Sequence, residues 1–370
     1  MNTNIVPEIS IIVPIYNVGL YLQQSLNSLI YQNFKNIEII CVNDCSTDNS
    51  LSILQDYAKN DSRIKIINLE QNAGQGRARN IAIDIAQGEY IMFLDPDDWY
   101  ELDTCEKAYN QIKANDNDFV VYDYCYFYED TQEIKENHSL SNIFKAYPNK
   151  EKINPQTCEK NYFLNAFAWN KIYKKSFLNE YNIRFSETRF AEDSPFYVKV
   201  MANAQSFSFL DNLLYNYRKK SNNELGFDYT QHYKSLIKNH RENFEYIKTK
   251  NNEKLKRNYL IYSIKSIFYL FEKISKLNST IRNEYFDEMR NFLIFLNENN
   301  NILEIKNKID YKMFLLILMH NSFFSYKNHL QKKEFINTLF SIKNKKEGKV
   351  LTIIGLKIVL RRNKNAKHSW

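Results

Sequence analysis

The first hundred residues alternate short, mostly apolar runs with segments in which apolar residues recur at helical spacing. The apolar runs are residues 9–13, 37–42, 64–67 and 90–94. The helical segments between them are residues 22–30, 50–59 and 76–86. Strands buried on both faces are continuously apolar, and strand–helix–strand repeats are joined by right-handed crossovers. The chain is therefore predicted to begin with an α/β fold, a mostly parallel sheet flanked by helices.

Three polar clusters follow strands of this predicted sheet, at Pro14–Asn17, Asn43–Asp48 and Asp95–Asp98. Ligands of open α/β sheets bind in a crevice outside the carboxyl ends of the strands. The three clusters therefore predict a single binding crevice along one edge of the sheet.

Asp95 and Asp97 stand two residues apart, so in extended backbone their side chains would point the same way. Two converging carboxylates repel unless a cation lies between them, and Mg²⁺ or Mn²⁺ suits carboxylate and phosphate oxygens. The alternative is an acidic surface turn, which the Asp-Pro-Asp-Asp sequence also favours. The position after an apolar strand favours the metal site.

No glycine-rich phosphate loop accompanies these carboxylates. Gly74 and Gly76 are followed by Arg79 where the dinucleotide-binding fingerprint requires a third glycine. A bound phosphate would therefore be neutralised by a metal and by side chains such as Arg77 or Arg79. The alternative for both arginines is a solvated helix face.

Beyond residue 100 the pattern changes twice. Residues 100–220 mix predicted helices and strands, and residues 230–340 are helical and rich in lysine and asparagine. The elements expected in the mixed part are helices near 102–113 and after Pro195, and strands near 119–124, 206–209 and 214–217. A polar segment at 219–223 marks the boundary between the two regions.

The net charge of +7 is concentrated at the carboxyl end. Residues 341–370 contain nine basic residues and one acidic residue, whereas residues 1–340 contain 41 basic and 42 acidic ones. A nearly neutral body offers no basic face to a duplex, so nucleic acid is not an expected partner. The sequence has no apolar run of about 18 residues and no secretory leader pattern, so we expect a cytoplasmic protein.

Four segments together resemble glycosyltransferase family 2 in sequence, order and spacing. They are ISIIVPIYN at 9–17, VNDCSTD at 42–48, NAGQGRARN at 72–80 and FLDPDDW at 93–99. The resemblance covers residues 8–105 and extends more weakly to about 218. It is strongest to bacterial transferases that build lipooligosaccharide and surface polysaccharide.

This resemblance implies an inverting enzyme of the GT-A fold, a Rossmann-like architecture with a C-terminal helical region. The implied catalytic domain is 1–225, with a donor half at 8–105 and an acceptor half at 106–225. The helical region would then be 226–340, and the basic apolar tail 341–370.

The resemblance also implies roles for residues of the donor half. Tyr16 would stack on the nucleotide base, and Asp44 would accept a hydrogen bond from a uracil N–H. Asp95 would lie near the ribose and the metal, Asp97 would bind the metal directly, and Asp98 would be a supporting carboxylate. The implied donor-nucleotide set is Pro14, Tyr16, Asp44, Arg79 and Asp95.

Two positions depart from the family pattern. Asn43 stands where many members have a second Asp, and Cys45 stands where Gly is usual. We expect the donor site to be retained, with a tighter constraint on the turn at Cys45, because glycine tolerates turn conformations that other residues adopt at a cost.

Residues 191–196 resemble the family's Glu-Asp segment, in which the Asp is the catalytic base. Asp193 lies just before a helix that is predicted to start near Pro195, and a positive helix end would keep its carboxylate ionised. The alternative is an ordinary helix-capping acid. The further candidate contacts with the acceptor or the diphosphate are Asp98, Trp169, Asn170, Lys171 and Glu192.

Together these implications describe the transfer of a hexose-type sugar from a nucleotide-diphosphate sugar, expected to be a UDP-sugar, to a hydroxyl of a lipid-linked glycan. Mn²⁺ or Mg²⁺ would assist the departure of the diphosphate, and Asp193 would take the acceptor proton. A non-catalytic nucleotide-sugar-binding protein is the main alternative, and turnover distinguishes the two. A nucleotidyltransferase would need a glycine-rich triphosphate loop, which this sequence lacks.

The tail, residues 341–370, has two interpretations. Its lysines and apolar residues suit a peripheral anchor on an anionic membrane surface, at the cytoplasmic face of the inner membrane. Its apolar residues, divided by Gly355, also suit two short strands packed on the body.

Overall fold

A computed structural model describes most of the chain. The described residues are 6–138, 140–141, 145, 147, 151–157, 166–220, 228–274, 279–300, 305, 309, 311–319, 341–345, 348–353 and 356–361. The chain divides into two compact units, Met1–Leu270 and Phe271–Trp370. The predicted domain boundary at 225/226 lies outside the described residues, so it stays a prediction.

The amino-terminal part is the predicted alternation of strands and helices. Its strands are β1 (Ile9–Ile15), β2 (Ile37–Asn43), β3 (Ile64–Asn68) and β4 (Tyr90–Phe93). Its helices are α1 (Gly19–Ile30), α2 (Ser50–Asn60) and α3 (Gln75–Ile85). The strands pair in parallel in the order β3-β2-β1-β4, which confirms the α/β prediction for this half.

The register of these strands brings their carboxyl ends to one edge. Ile15 of β1 is level with Asn43 of β2, and Asn43 is level with Asn68 of β3. Every residue of β1 and β2 is buried, as expected of strands covered by helices on both sides. The polar residues that follow the strands are therefore neighbours in space.

The sheet continues beyond β4 with strands of mixed direction. The added strands are β5 (Trp99–Tyr100), β6 (Phe119–Tyr128), β7 (Glu133–Asn137), β8 (Lys171–Lys174) and β9 (Phe207–Lys219). The helices of this part are α4 (Thr104–Asn115), α5 (Lys175–Glu180) and α6 (Asp193–Asn203). Strand β8 lies antiparallel between β4 and β6, while β6 and β9 are parallel. The sheet is thus parallel through β4 and mixed beyond it.

The two short strands predicted near 206–209 and 214–217 are one strand, β9. Its pairing with β6 shifts register on either side of Asp123, so the ladder is irregular there. An irregularity of this kind lets a strand bend while it continues in the same sheet. Strands β5, β7 and β8 were not predicted, because their sequences are short and polar or interrupted.

The helical region is confirmed over the described residues. Its helices are α7 (Tyr229–Lys248), α8 (Glu253–Ile274), α9 (Ser279–Asn299) and α10 (Tyr311–Met319). Helix α7 packs on α6 and its preceding loop, where Asn239 donates to the Ala191 carbonyl and Asn243 donates to Ser194. Within the described part of the chain, none of the helices combines the length and apolarity that crossing a membrane requires.

The described backbone of the tail forms a small antiparallel sheet. Its strands are β10 (Ser341–Lys345), β11 (Gly348–Ile353) and β12 (Leu356–Arg361), in that order. Two of these strands flank Gly355, where the strand interpretation placed them. Membrane anchoring by the tail stays a prediction.

Candidate active site

The loops after β1 and β2 are joined by side chains from the predicted polar clusters. Asn17 accepts hydrogen bonds at Oδ1 from the Thr47 amide, at 2.8 Å, and from the Thr47 hydroxyl. The backbone is left-handed at Asn17 (φ 51°) and at Cys45 (φ 61°). Cys45 therefore occupies a conformation that glycine adopts more readily, as the departure from the family pattern suggested. Tyr16 is 48% exposed at this edge, so its ring is accessible to a ligand.

Asp44 organises the loop that leads into α3. Its carboxylate accepts hydrogen bonds from the backbone amides of Ala73, at 2.6 Å, and Gly74, at 2.9 Å. Gly74 has a φ of 87°, a conformation that L-residues with a side chain rarely adopt. Asp44 is itself buried. The motif residues from β2 and α3 thus hold one another in place.

Helix α3 approaches the acceptor half closely at Gly76. A Cβ at this position would lie 2.2 Å from the Ser186 carbonyl oxygen and 3.2 Å from the Glu192 side chain. Any larger residue would have to displace backbone, so glycine permits the contact. Arg79, three residues later on the same helical face, is thereby brought to residues 192–193.

Arg79 is the centre of the site. It is 1% exposed, and its Nη2 donates to Asp95 Oδ1 at 2.6 Å. Its Nη1 donates to Glu192 Oε1 and to Asp193 Oδ1, both at 2.9 Å. One buried guanidinium therefore joins the residue after β4 to the first residue of α6. A direct contact of Arg79 with the nucleotide stays a prediction, since both terminal nitrogens are bonded to carboxylates.

Burial and crowding raise the pKa of the two carboxyl groups on either side of Arg79. Burial is the largest cause for Asp95, followed among the raising causes by the charges of Asp193 and Asp97, and its pKa is about 6. Burial also raises the pKa of Asp193 to about 6, with the Glu192 charge adding to it. The guanidinium of Arg79 opposes both shifts. At neutral pH these carboxylates are ionised but more basic than an exposed aspartate.

The backbone before β8 completes the surroundings of Asp193. The Ala168 amide donates to Asp193 Oδ2 at 3.3 Å. Trp169, Asn170 and Lys171 are buried, so in this structure they support the loop rather than face a ligand. Lys171 Nζ donates to the Phe167 carbonyl at 2.5 Å, and burial lowers the pKa of this lysine to about 7. Their contact with an acceptor or a diphosphate stays a prediction.

The backbone from Asp95 to Asp97 is not extended, contrary to the prediction from the sequence. The Asp98 amide donates to the Asp95 carbonyl at 3.0 Å, so the backbone turns between them. Asp95 pairs with Arg79, whereas Asp97 Oδ2 pairs with Lys220 Nζ at 2.6 Å. The extended geometry was wrong because the Asp-Pro-Asp-Asp segment forms the turn that its composition favours.

Asp98 is a buried support for this turn. It accepts hydrogen bonds from the Tyr215 hydroxyl at 2.6 Å and from the Arg218 amide at 2.7 Å, both on β9. Burial, together with the charges of Asp97 and Asp95, raises its pKa well above the usual value. Its place fits the supporting carboxylate that the sequence predicted. Lys220, Arg218 and Tyr215 were not predicted, and their sequence carries no motif that marks them.

The carboxylate oxygens at this turn suit a divalent cation. Asp95 Oδ2 and Asp97 Oδ1 accept no hydrogen bond from any described residue, so each carboxylate keeps one oxygen. Carboxylate oxygens are the ligands that Mg²⁺ and Mn²⁺ prefer. The five carboxyl groups of Asp95, Asp97, Asp98, Glu192 and Asp193 also outnumber the four basic groups around them, those of Arg79, Lys171, Arg218 and Lys220. Residues Asp97 and Asp95 would hold the ion.

A second group of potential ligands, Asp123, His138 and Asp211, was not predicted. One ligand atom from each lies within 4.8 Å of the others. The Ser141 hydroxyl lies within hydrogen-bond distance of both carboxylates, and the Ser141 amide donates to Asp123. Serine therefore already bridges the pair. The neighbours of Asp123 in β6, Tyr122 and Tyr124, belong to the core beside the site.

The chain is similar to known glycosyltransferases in sequence and in fold. Residues 10–181 match the family model for glycosyl transferase family 2. The match to EpsH of Bacillus subtilis is 35% identical over 215 residues, which are 57% of this chain and 61% of EpsH. The match to GlyG, a glycosyltransferase of Streptococcus pneumoniae, is 32% identical and covers 58% of this chain and 71% of GlyG.

TarS of Staphylococcus aureus is similar to this chain both in sequence and in structure. Its sequence, named poly(ribitol-phosphate) beta-N-acetylglucosaminyltransferase, is 31% identical over 221 residues, which are 59% of this chain and 36% of TarS. A crystal structure of TarS residues 1–349 with UDP has a TM-score of 0.69 at 20% identity and covers 95% of this chain and 98% of that one. The fold is therefore the GT-A fold. The chain belongs to glycosyltransferase family 2.

The Arg79 centre yields a stability prediction. Removing the guanidinium leaves buried carboxylates without their counter-charge, so Arg79→Met should lower the free energy of unfolding by about 3–5 kcal/mol. Arg77→Met is the matched control, since Arg77 is exposed on the same helix, and it should cost no more than about 0.5 kcal/mol. Urea unfolding near pH 8 measures both.

The loss of stability caused by Arg79→Met should depend on pH in a definite direction. The carboxyl groups left by Arg79→Met have raised pKa values and take up protons as the pH falls, so the loss should shrink near pH 5. Equal losses for Arg79→Met and Arg77→Met would show that Arg79 is not the centre of the cluster.

Proposed function

We propose that this chain transfers a hexose-type sugar from a nucleotide-diphosphate sugar to a hydroxyl of a glycan, with inversion and with Asp193 as the base. The observation that carries the proposal is the Arg79 bridge between Asp95 and Asp193. Asp95 belongs to the donor motif after β4, and Asp193 begins α6 in the acceptor half. The bridge supports the proposal because it links the proposed base to a carboxylate of the donor motif.

The chemistry of Asp193 suits proton removal. A carboxylate offers about four lone-pair sites, so each oxygen can accept an acceptor hydroxyl beside its present partner. Its pKa of about 6 makes it a stronger base than an ordinary aspartate, yet it remains ionised near neutral pH. Asp193 would take the proton as the hydroxyl attacks the anomeric carbon from the face opposite the diphosphate, and a single displacement of this kind inverts the centre.

A UDP-sugar is the donor we propose. In support, TarS structures have been solved with UDP and with UDP-GlcNAc, and Tyr16 is accessible beside the loop that Asp44 organises. Tyr16 would stack on the base, with Pro14 shaping the end of β1. Arg79 and Asp95 complete the proposed donor set.

Mn²⁺ or Mg²⁺ is the proposed cofactor. When bound, the ion would stabilise the charge that develops on the leaving diphosphate. Asp97 would be its direct ligand and Asp95 the second. Lys220 and Arg79 would hold the remaining oxygen of each carboxylate, which fixes the orientation of both side chains.

A lipid-linked glycan at the cytoplasmic face of a membrane is the proposed acceptor. The support comes from the sequence of the tail, where nine basic residues are interspersed with apolar ones. Basic residues near an anionic surface contribute about 1 kcal/mol each, screened by salt.

The role of Asp193 is tested by Asp193→Asn, which keeps the shape of the side chain but removes its basicity. The chemical step should fall by about 10²- to 10⁴-fold while the donor still binds. Glu192→Gln is the control. Glu192 also pairs with Arg79, and its substitution should slow the chemical step less than Asp193→Asn does. In the unchanged protein, kcat/KM should fall as the pH drops through about 6, where Asp193 becomes protonated. Normal turnover by Asp193→Asn would identify a different base.

The metal site is tested by Asp97→Ala. Transfer should be lost at every Mn²⁺ concentration, because the direct ligand is missing. Asp56→Ala, at an exposed position on α2, is the control and should leave the Mn²⁺ titration unchanged. Full activity of Asp97→Ala in excess EDTA would rule out metal assistance through this residue.

The membrane role is tested by deleting residues 341–370. The shortened chain should no longer sediment with vesicles that contain anionic lipid, because the tail supplies the net positive charge of the chain while residues 1–340 are nearly neutral. The full chain should lose the same binding at high salt, and it should not bind neutral vesicles. Binding to anionic vesicles that persists after the deletion, or that does not weaken at high salt, would contradict a role of the tail as a membrane anchor.

A further inference from the structure

Four aromatic rings lie nearly parallel beside Asp193. Phe167 stacks on Trp169 with centroids 4.8 Å apart and an angle of 14°, and Trp169 stacks on Tyr215 at 4.1 Å and 19°. Tyr217 is stacked with Trp169 at 5.6 Å and with Phe167 at 6.4 Å. We call Phe167, Trp169, Tyr215 and Tyr217 the aromatic stack. It combines residues from the loop before β8 with residues from β9.

The stack runs from the core to the surface. Trp169 and Tyr215 are buried, Tyr217 is half-buried, and Phe167 is 38% exposed. An isolated exposed phenylalanine needs no explanation. Phe167 differs because Trp169 and Tyr217 stack on its ring and Tyr124 meets it edge-on, while Lys171 Nζ donates a hydrogen bond to its carbonyl. The result is a fixed aromatic surface that is open to solvent at one end.

The aromatic stack is fastened to the reacting groups on two sides. The Ala168 amide, between Phe167 and Trp169, donates to Asp193 Oδ2. The Tyr215 hydroxyl donates to Asp98 Oδ2 and accepts a hydrogen bond from the Asp95 amide. The exposed end therefore has a set position relative to both the proposed base and the donor carboxylates.

We propose that Phe167, supported by Tyr217, is the platform on which a pyranose ring of the acceptor stacks, so that its hydroxyl reaches Asp193. The inference rests on the proposed function and adds the chemical class of the acceptor's reacting unit. A pyranose presents C–H groups on its ring faces and hydroxyls at its rim. The C–H groups carry partial positive charge and pack against the negative face of an aromatic ring.

An acyclic polyol phosphate is the contrasting acceptor class. Such a chain has no flat apolar face, so it gains little from a ring surface that lacks hydrogen-bond donors. A rigid, half-exposed ring next to the base instead favours a cyclic sugar, because binding sites for small molecules combine apolar walls with a few placed polar groups.

The test compares Phe167→Ala, Phe167→Tyr and Tyr31→Ala in the full chain. Tyr31 is an aromatic residue, 62% exposed after α1, and serves as the matched control. The donor is UDP-GlcNAc, and the acceptor probes are methyl β-glucoside, methyl β-galactoside, methyl N-acetyl-β-glucosaminide and ribitol 5-phosphate. Probe binding is followed by NMR in the presence of UDP, and initial rates give KM and kcat.

The expected result is selective loss of pyranoside affinity. Phe167→Ala should raise the KM and the dissociation constant of the preferred pyranoside roughly three- to tenfold. Phe167→Tyr should keep the affinity, because it keeps the ring, and Tyr31→Ala should match the unchanged protein. The KM for UDP-GlcNAc should be similar in every variant.

Three results would overturn the platform. One is a wild-type chain that binds ribitol 5-phosphate but no pyranoside. Another is a Phe167→Ala variant with unaltered pyranoside affinity. A third is a loss confined to kcat with a shifted pH profile, which would show that Phe167 acts only by placing Asp193. Failure of the proposed function is separate, since the wild-type chain would then neither bind nor hydrolyse a nucleotide sugar.

Discussion

A buried ion cluster around Arg79 is the interaction on which the rest of the site depends. Moving a guanidinium and several carboxylates out of water is costly, and the cost is recovered only when geometry and hydrogen bonds are good. Here Arg79 makes three charged hydrogen bonds of 2.6–2.9 Å. Because its partners come from the loop after β4 and from the start of α6, the cluster can form only when the donor and acceptor halves are both folded and in contact.

The cluster also explains the acid–base properties of the site. Without Arg79, Asp95 and Asp193 would repel each other in a poorly solvated space and would bind protons near neutral pH. With it, both pKa values are about 6, so the carboxylates are charged yet basic. One arginine therefore lets a metal-facing carboxylate and a proton acceptor lie side by side. This arrangement fits a reaction in which a diphosphate leaves while a hydroxyl loses its proton.

The sequence predicted the first half of the fold well, because β1, β2 and β4 are largely apolar runs with polar motifs at their ends. It also singled out Asp193, through a short motif beside a helix start. It could not show that Arg79 joins Asp95 to Asp193, because Arg79 and Asp193 are 114 positions apart in the chain and meet only in the folded structure. It likewise missed Lys220 and the aromatic stack. Phe167, Tyr215 and Tyr217 carry no motif, and they meet Trp169 only because β8 and β9 both pair with β6.

Some residues proved to have a different environment from the one their motif suggested. Trp169, Asn170 and Lys171 are buried beneath Phe167, so the surface offered to a ligand is that of the residue before the motif. Asp95 and Asp97 are separated by a turn and paired with different cations. In both cases the motif marks the right place in the fold, and long-range packing decides which atoms face the crevice.

The stereochemistry of transfer tests the central claim most directly. The protein would be incubated with UDP-GlcNAc, whose sugar is α-linked, and an accepted glycoside, and the anomeric configuration of the first product would be read by proton NMR. Direct attack with Asp193 as the base predicts a β-linked product and none of the α-anomer at early times. An α-linked initial product would contradict the account, because retention requires a second displacement or a front-face attack that this arrangement of carboxylates does not provide.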